Sequence, residues 1–146
     1  MAIYGAGSLW GEREMRGKFF KEKKFILGWN DENAKDLYEA IAGLKVGDIL
    51  YLKSNQPGSR EIRIKGIGVV IKSLMQSILD QEFKDLEIGE WEELFVSVDW
   101  RSKEEFKIVI PTDEGKLTNI RAATFYEEYL SYVQQQVLKH LFKART

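Results

Sequence analysis

At 146 residues with 44% hydrophobic content, the chain is long enough for one continuous core and short for two, so a single domain over 1–146 is expected. The absence of cysteine excludes disulfides, cysteine-ligated zinc and thiol nucleophiles and suits a reducing cytoplasm, the expected location. Lys and Arg number 22 against 23 Asp and Glu, a net charge of −1, which disfavours a protein that coats nucleic acid through its backbone alone but not one that reads a single base with a few local cations.

The opening "MAIYGAGSLW" has no basic region followed by an apolar run of signal-peptide length, and no run of about 18 consecutive apolar residues occurs, so neither a secretion signal nor a membrane span is expected. Within it "AIYG" reads as a short strand, and "AGSLWGEREMRGKFF" as a loop leading into a short helix or an ordered excursion. "KKFILGW" is an apolar run of strand length that ends on an indole, Trp29. In "NDENAKDLYEAIAGL", Asn30 or Asp31 can cap a helix whose apolar positions Ala34, Leu37, Tyr38 and Ile41 follow helical spacing, with Gly43 as its terminator. Gly47-Asp48 then turns the chain into the strand "ILYLKS", "NQPGS" is a hairpin loop by its content, and "REIRIKGIGVVI" returns. Strict alternation in this return puts Ile62, Ile64, Gly66, Gly68 and Val70 on one face and Ile67, Val69 and Ile71 on the other; both faces become apolar, as expected of a strand that crosses the core.

The segment "KSLMQSILDQEFKDLEIG" fits either a helix or an irregular connection. "EELFVSVDW" places Leu94, Val96, Val98 and Trp100 on one face, and "EEFKIVIP" points Phe106, Ile108 and Ile110 inward, so the two read as a hairpin joined at "RSK". Thr124 and Glu127 have capping-box spacing ahead of an amphipathic pattern, which predicts a C-terminal helix over 124–143. The expected fold class is α+β, a small mixed or antiparallel β-barrel of five to seven strands with an inserted helix and a C-terminal helix. A doubly wound parallel sheet fits poorly, because the hairpins have no crossover helices.

Recognisable catalytic spacing is scarce. His140 is the one histidine, near the end of the last helix, where it would bond terminal carbonyls; without a second histidine or any cysteine no metal site is expected. No serine carries nucleophile-elbow spacing. "GAGSLWG" lacks the third glycine of a dinucleotide fingerprint and the Gly-Lys-Ser/Thr of a phosphate loop. The two glycines of "KGIGVV" read as a bulge or a close backbone approach, and the pairs Glu92-Glu93 and Glu104-Glu105 as solvent-facing charges beside strands.

In order, "SLWGEREMRGKFF", "FILGWN", "DLYEAIAGLKVGDILYLKS", "IRIKGIGVVI", "LFVSVDW" and "NIRAATFYE" resemble the PUA-like superfamily, and within it the EVE and EVE-like domains related to YTH readers. The similarity spans about residues 3–128, and it is the ordered combination that carries it. The resemblance implies a small β-barrel with surrounding helices and an aromatic pocket for a modified or flipped base of DNA or RNA, where stacking contributes roughly 1–3 kcal/mol per base. Trp10 and Trp29 are then candidate walls, with plugging of a barrel end as the structural alternative for either. Asn30 would read a base edge. Lys53, Ser54 and Arg121 would place a phosphate or base edge, and Ser8, beside Trp10, completes the candidate set. A basic rim drawn from Lys18, Lys21, Lys53, Arg60, Arg63 and Arg121 is expected, and no cofactor.

Two alternatives stand beside this reading. One is an enzyme of the related ASCH-like class that hydrolyses an amide on a nucleoside, which needs a lysine, a hydroxyl and a carboxylate in one cleft; Lys53, Ser54 and Glu61 are conceivable members. The other is a protein-interaction module in which Tyr126, Tyr129 and Tyr132 offer an exposed face to a protein partner.

Overall fold

The computed structural model describes residues 1–27, 35–56, 58–80, 94–114 and 124–143. Among these lie nine strands and four helices: β1 (Ile3–Gly7), β2 (Leu9–Trp10), β3 (Arg13–Glu14), α1 (Arg16–Glu22), β4 (Lys24–Ile26), α2 (Lys35–Ala42), β5 (Ile49–Ser54), β6 (Glu61–Lys72), α3 (Leu74–Asp80), β7 (Phe95–Ser102), β8 (Phe106–Val109), β9 (Phe125–Glu127) and α4 (Ser131–Lys143). The fold is α+β.

Seven strands make one mixed sheet in the order β4-β7-β6-β5-β1-β9, with β8 also on β6, while β2 and β3 form a separate small hairpin. Only β1 and β5 run parallel in this sheet. Its two end strands approach one another, because Phe25 of β4 and Phe125 of β9 stack with ring centroids 6.2 Å apart. The sheet is therefore curled into a half-barrel.

The concave side holds one core, in which Phe19 of α1 and Ile41 of α2 meet Leu50, Leu52, Val96, Val98 and Trp100. Trp100 is core, as its face predicted, and its indole N–H donates to the Phe19 carbonyl at 3.0 Å. The convex side is covered by α4, whose Val133, Val137 and Leu141 pack on Ile3, Ile49, Ile62, Ile64 and Ile108. Each such buried aliphatic side chain contributes roughly 1.5–3 kcal/mol.

The strand β6 crosses the core as expected, but its alternation is broken. Leu52 and Lys53 of β5 face Gly66 and Ile64 of β6, so Lys65 is an extra residue, a β-bulge. Ile62 and Ile64 consequently share the convex core with Ile67, while Val70 lies in the concave one; the single-face grouping of Ile62 with Val70 is corrected by this one-residue slip. The expected hairpin of residues 94–110 is also corrected. β7 and β8 do not pair with each other; they lie in succession along the same edge of β6.

Nor does the last helix begin at Thr124. Phe125–Glu127 is a strand on β1, and α4 starts at Ser131, because the sheet's open edge offers backbone partners that an isolated capping box does not. The ambiguous segment after β6 starts as a helix, α3. The three tyrosines do not form one exposed face: Tyr129 is exposed, Tyr126 is buried and Tyr132 is half-buried. No helix among the described residues is long and apolar enough to cross a membrane.

The two glycines of β6 mark close approaches, made first by side chains and only then by the neighbouring backbone that their reading expected. A Cβ on Gly66 would lie 2.7 Å from the Phe20 ring, and one on Gly68 would run into Val98, the Trp100 ring at 2.9 Å and the Asp99 carbonyl at 3.0 Å. Gly17, in α1, has nothing within 4 Å of the same position. We expect Gly68→Ala to cost about 1–3 kcal/mol through overpacking and Gly17→Ala to raise stability by up to about 1 kcal/mol through helix propensity. Urea denaturation of the two variants checks the opposite signs.

Candidate functional site

The bulge in β6 aims a lysine into a place where strands and hairpin converge. Lys65 is 6% exposed, and a buried ammonium without a partner is costly. Its partner is Glu14, at the return of the β2-β3 hairpin, with Nζ 2.6 Å from Oε1. The other carboxylate oxygen accepts from the Ser8 hydroxyl at 2.6 Å. Ser8 is fully buried, and its carbonyl accepts from the Met15 N–H at 2.8 Å. Hydroxyl, carboxylate and ammonium are thus brought together from the end of β1, from β3 and from β6.

Around this trio the charge is mostly positive. Arg16 donates its backbone N–H to Glu14 and its guanidinium to Glu105 at 3.0 Å, and Arg63 binds the same Glu105 through Nε at 2.9 Å and Nη2 at 3.1 Å. Burial alone would raise the Glu14 carboxyl, but the hydrogen bonds from Lys65 and Ser8, the Lys65 charge and the Arg16 N–H outweigh it and hold Glu14 below the usual carboxylate value.

Lys53, at the end of β5, is buried and bonds the Asn55 side chain at 3.0 Å. Its ammonium also lies 5.3 Å from the centre of the Tyr126 ring. Burial first, and then the Lys65 charge, push it down to about 8. Beneath it Tyr126 and Tyr51 share a 2.8 Å hydroxyl contact, and Tyr51 donates to the buried Glu128 at 2.9 Å. Burial, with the neighbouring Tyr126 and Glu128, raises the Tyr51 phenol well above its ordinary value. Gly5 is what admits the pair, since a Cβ there would lie 2.5–2.7 Å from both rings.

Of the sequence candidates, Ser8 and Lys53 enter this cluster, and Ser54 stands opposite Arg63 in the β5-β6 register. Trp10 is half-buried on β2, edge-on to Phe19 with centroids 6.1 Å apart, and packs against the concave core. Trp29, Asn30 and Arg121 lie outside the described residues. The expected basic rim is divided: Arg63 joins the cluster with Lys53, but Lys18 pairs with Glu22 inside α1 and Arg60 donates to the Pro111 carbonyl at 2.9 Å. Glu61 faces Lys107 rather than Lys53.

Glu14, Arg16, Lys65 and Glu105 were missed. In the chain Lys65 reads as the third charge of an alternating polar face, after Glu61 and Arg63 in "EIRIK", and only the bulge buries it; Glu14 and Glu105 are ordinary acids in the chain and carry no signal. His140 is held by packing, stacked on Phe106 at 3.6 Å with Nδ1 2.9 Å from the Gln136 carbonyl. Among the described residues no group of three or more His, Asp or Glu side chains is placed to hold a metal ion. No protein-family model matches the chain, and no curated protein sequence matches it significantly.

Glu14→Gln, which leaves the Lys65 ammonium without its carboxylate, should cost about 2–3 kcal/mol at neutral pH. Because the folded Glu14 value is depressed, its contribution is present above the ordinary 4.5 and lost as pH falls through the folded value; the variant and the parent should therefore converge in acid denaturation. On the alkaline side the unfolded chain holds a proton on Lys53 up to its ordinary 10.5 whereas the folded chain releases it near 8, so this group makes stability climb between those values. Tyr4, pushed up to about 12 by burial and by Glu127, and Tyr51 reverse the trend above pH 10, where their unfolded forms ionise first. Lys53→Met should abolish the climb and stabilise the protein at pH 7 by on the order of 1 kcal/mol after solvent screening, as read from thermal melts across the range.

Proposed function

We propose that this chain is a non-enzymatic nucleic-acid-binding module of PUA-like, EVE-like architecture that accepts a modified base at the polar end of its half-barrel. The observation that carries the reading is the local excess of positive charge: Arg16, Lys53, Arg63 and Lys65 gather around Glu14 and Glu105 in a chain whose net charge is −1. Cations held rigidly by short ion pairs suit phosphate oxygens, which fix register, while aromatic side chains supply the stacking surface for the base. Trp10 flanks this end from the hairpin that carries Glu14, and Trp29, with Asn30 and Arg121 as base-edge and phosphate contacts, completes the proposed pocket. DNA and RNA share this chemistry, and the protein reads rather than cuts.

A second reading is favoured by one specific arrangement. Lys65, Glu14 and Ser8 form a lysine, carboxylate and hydroxyl trio, beside a second lysine pushed down to about 8 by burial and by Lys65, which are the groups that amide hydrolysis on an acylated nucleoside needs. Here the carboxylate bridges hydroxyl and ammonium, so both are engaged in holding the hairpin. Turnover of acylated cytidines that is lost in Ser8→Ala would establish this reading in place of binding.

Intrinsic tryptophan fluorescence during titration with short oligonucleotides, with and without methylated or hydroxymethylated bases, tests the proposal. Saturable quenching that prefers a modified oligonucleotide is expected, weakened about ten-fold in Trp29→Ala through loss of stacking while thermal stability is kept. Absence of quenching with every oligonucleotide would overturn it.

A further inference from the structure

A second basic concavity lies on the convex side of the sheet, between the end of α4 and the β7-β8 connection. It has a volume of about 540 Å³ and is lined by Arg101, Lys103, Glu104 and Lys143, with Phe106 and His140 among its walls. The stacked rings of Phe106 and His140, tilted by 7°, make a flat wall. A helix C-terminus accounts for a cation at Lys143. It does not account for Arg101 and Lys103, which come from the sheet.

The register explains why those two are there. Ser102 pairs with Ile67 and Trp100 with Gly68, so Arg101 is an extra residue that bulges from β7. Phe106 pairs with Ile64, so three residues of the connection, Lys103 to Glu105, stand against Lys65 and Gly66 and leave the ladder. This break in the sheet edge has cations on both faces. On the concave side Glu105 holds Arg16 and Arg63 beside Lys65; on the convex side are Arg101, Lys103 and Lys143, with Asp99 2.7 Å from Arg101 and Glu104 as the balancing acids.

We propose that the convex cleft holds backbone phosphate of a nucleic-acid strand that passes over the broken sheet edge, so that the two basic groups form one track. The inference rests on the nucleic-acid reading and adds to it the path by which the strand leaves the base-reading end. A base-reading pocket alone predicts no role for Lys103 or Lys143.

The test is fluorescence anisotropy of the full chain with a labelled single-stranded oligonucleotide of about a dozen nucleotides, across a series of salt concentrations. The double variant Lys103→Ala/Lys143→Ala, both exposed positions, should bind roughly ten- to thirty-fold more weakly at about 0.1 M salt. Its salt slope should fall by about 0.7 for each phosphate contact removed, and its preference for a modified base should be unchanged. Lys139→Ala, also exposed on α4 but not in the cleft lining, should leave slope and affinity as they are. Parent-like affinity and slope in the double variant, or an equal loss in Lys139→Ala, would overturn the track while leaving base reading intact. No binding by the parent chain would overturn both.

Discussion

A charged side chain inside a strand that is buried on both faces constrains much of this structure. β6 is twelve residues long and lies between β5 on one edge and β7 and β8 on the other, and residues 64–68 in its middle are buried in succession, so there neither face meets water. An ammonium placed there must be neutralised by a neighbour or must not be there at all. The bulge at Lys65 gives that ammonium a direction, and Glu14 gives it a partner. To put Glu14 there the chain must fold back as a two-residue hairpin immediately after β1, and Ser8 closes that fold through both its hydroxyl and its carbonyl. α1 begins two residues later, its Phe19 fills the concave core, and the Phe19 carbonyl takes the Trp100 N–H. One inserted residue is thus tied to the placement of a hairpin, a helix and a tryptophan.

The same insertion links the two faces of the sheet. Beyond it the side chains of β6 exchange sides, so Ile67 joins Ile62 and Ile64 under α4, and Gly66 and Gly68 come to face the concave core where Phe20, Val98 and Trp100 need the space. On the β5 side the bulge lies opposite the step from Leu52 to Lys53, and Lys53 is left over the Tyr126 ring. There a second polar network begins, in which Tyr126, Tyr51 and Glu128 satisfy each other. Glu128 also accepts the Leu130 N–H at 3.2 Å, and its carbonyl accepts the Gln134 side chain at 2.7 Å, which anchors the start of α4. Buried polar groups with every member partnered rigidify a core, and here they stand where the two basic lysines meet the aromatic pair.

How much of this was legible in the chain depended on whether the signal was local. The alternation in residues 94–100 is a local pattern, and Val96, Val98 and Trp100 lie together as it predicts. The Gly-Asp turn is equally local: Asp48 is buried and accepts from the backbone N–H groups of Lys45 and Ala2. The pairing of β7 and β8 with β6 instead of with each other was illegible, because "RSK" is a plausible hairpin turn and only the full length of β6 decides against it. A bulge leaves no mark in composition, so alternation alone puts Ile62 and Ile67 on opposite faces. In the candidate site Ser8 and Lys53 were within reach of sequence reasoning, but Glu14 and Lys65 are 51 residues apart, and no spacing rule joins a hairpin acid to a strand lysine at that separation.

Charge distribution is the last step from fold to function. A chain with a net charge of −1 has no long-range field to draw a polyanion from solution, so any nucleic-acid affinity must come from a few cations at fixed positions. Fixing them takes structure: Glu105 orients two guanidiniums at once, Glu14 holds the Lys65 ammonium against the sheet, and Asp99 holds Arg101 at the bulge of β7. These carboxylates lower the total charge while removing the rotamer freedom that a lysine or arginine would otherwise lose on binding. Under the proposed function, a binder built this way has a small salt dependence and weak nonspecific affinity, and its selectivity comes from the base it stacks. Near-neutrality, which in the sequence counts against a protein that coats any strand it meets, is compatible with the proposed reader of one base, because that proposal needs only a few cations at fixed positions.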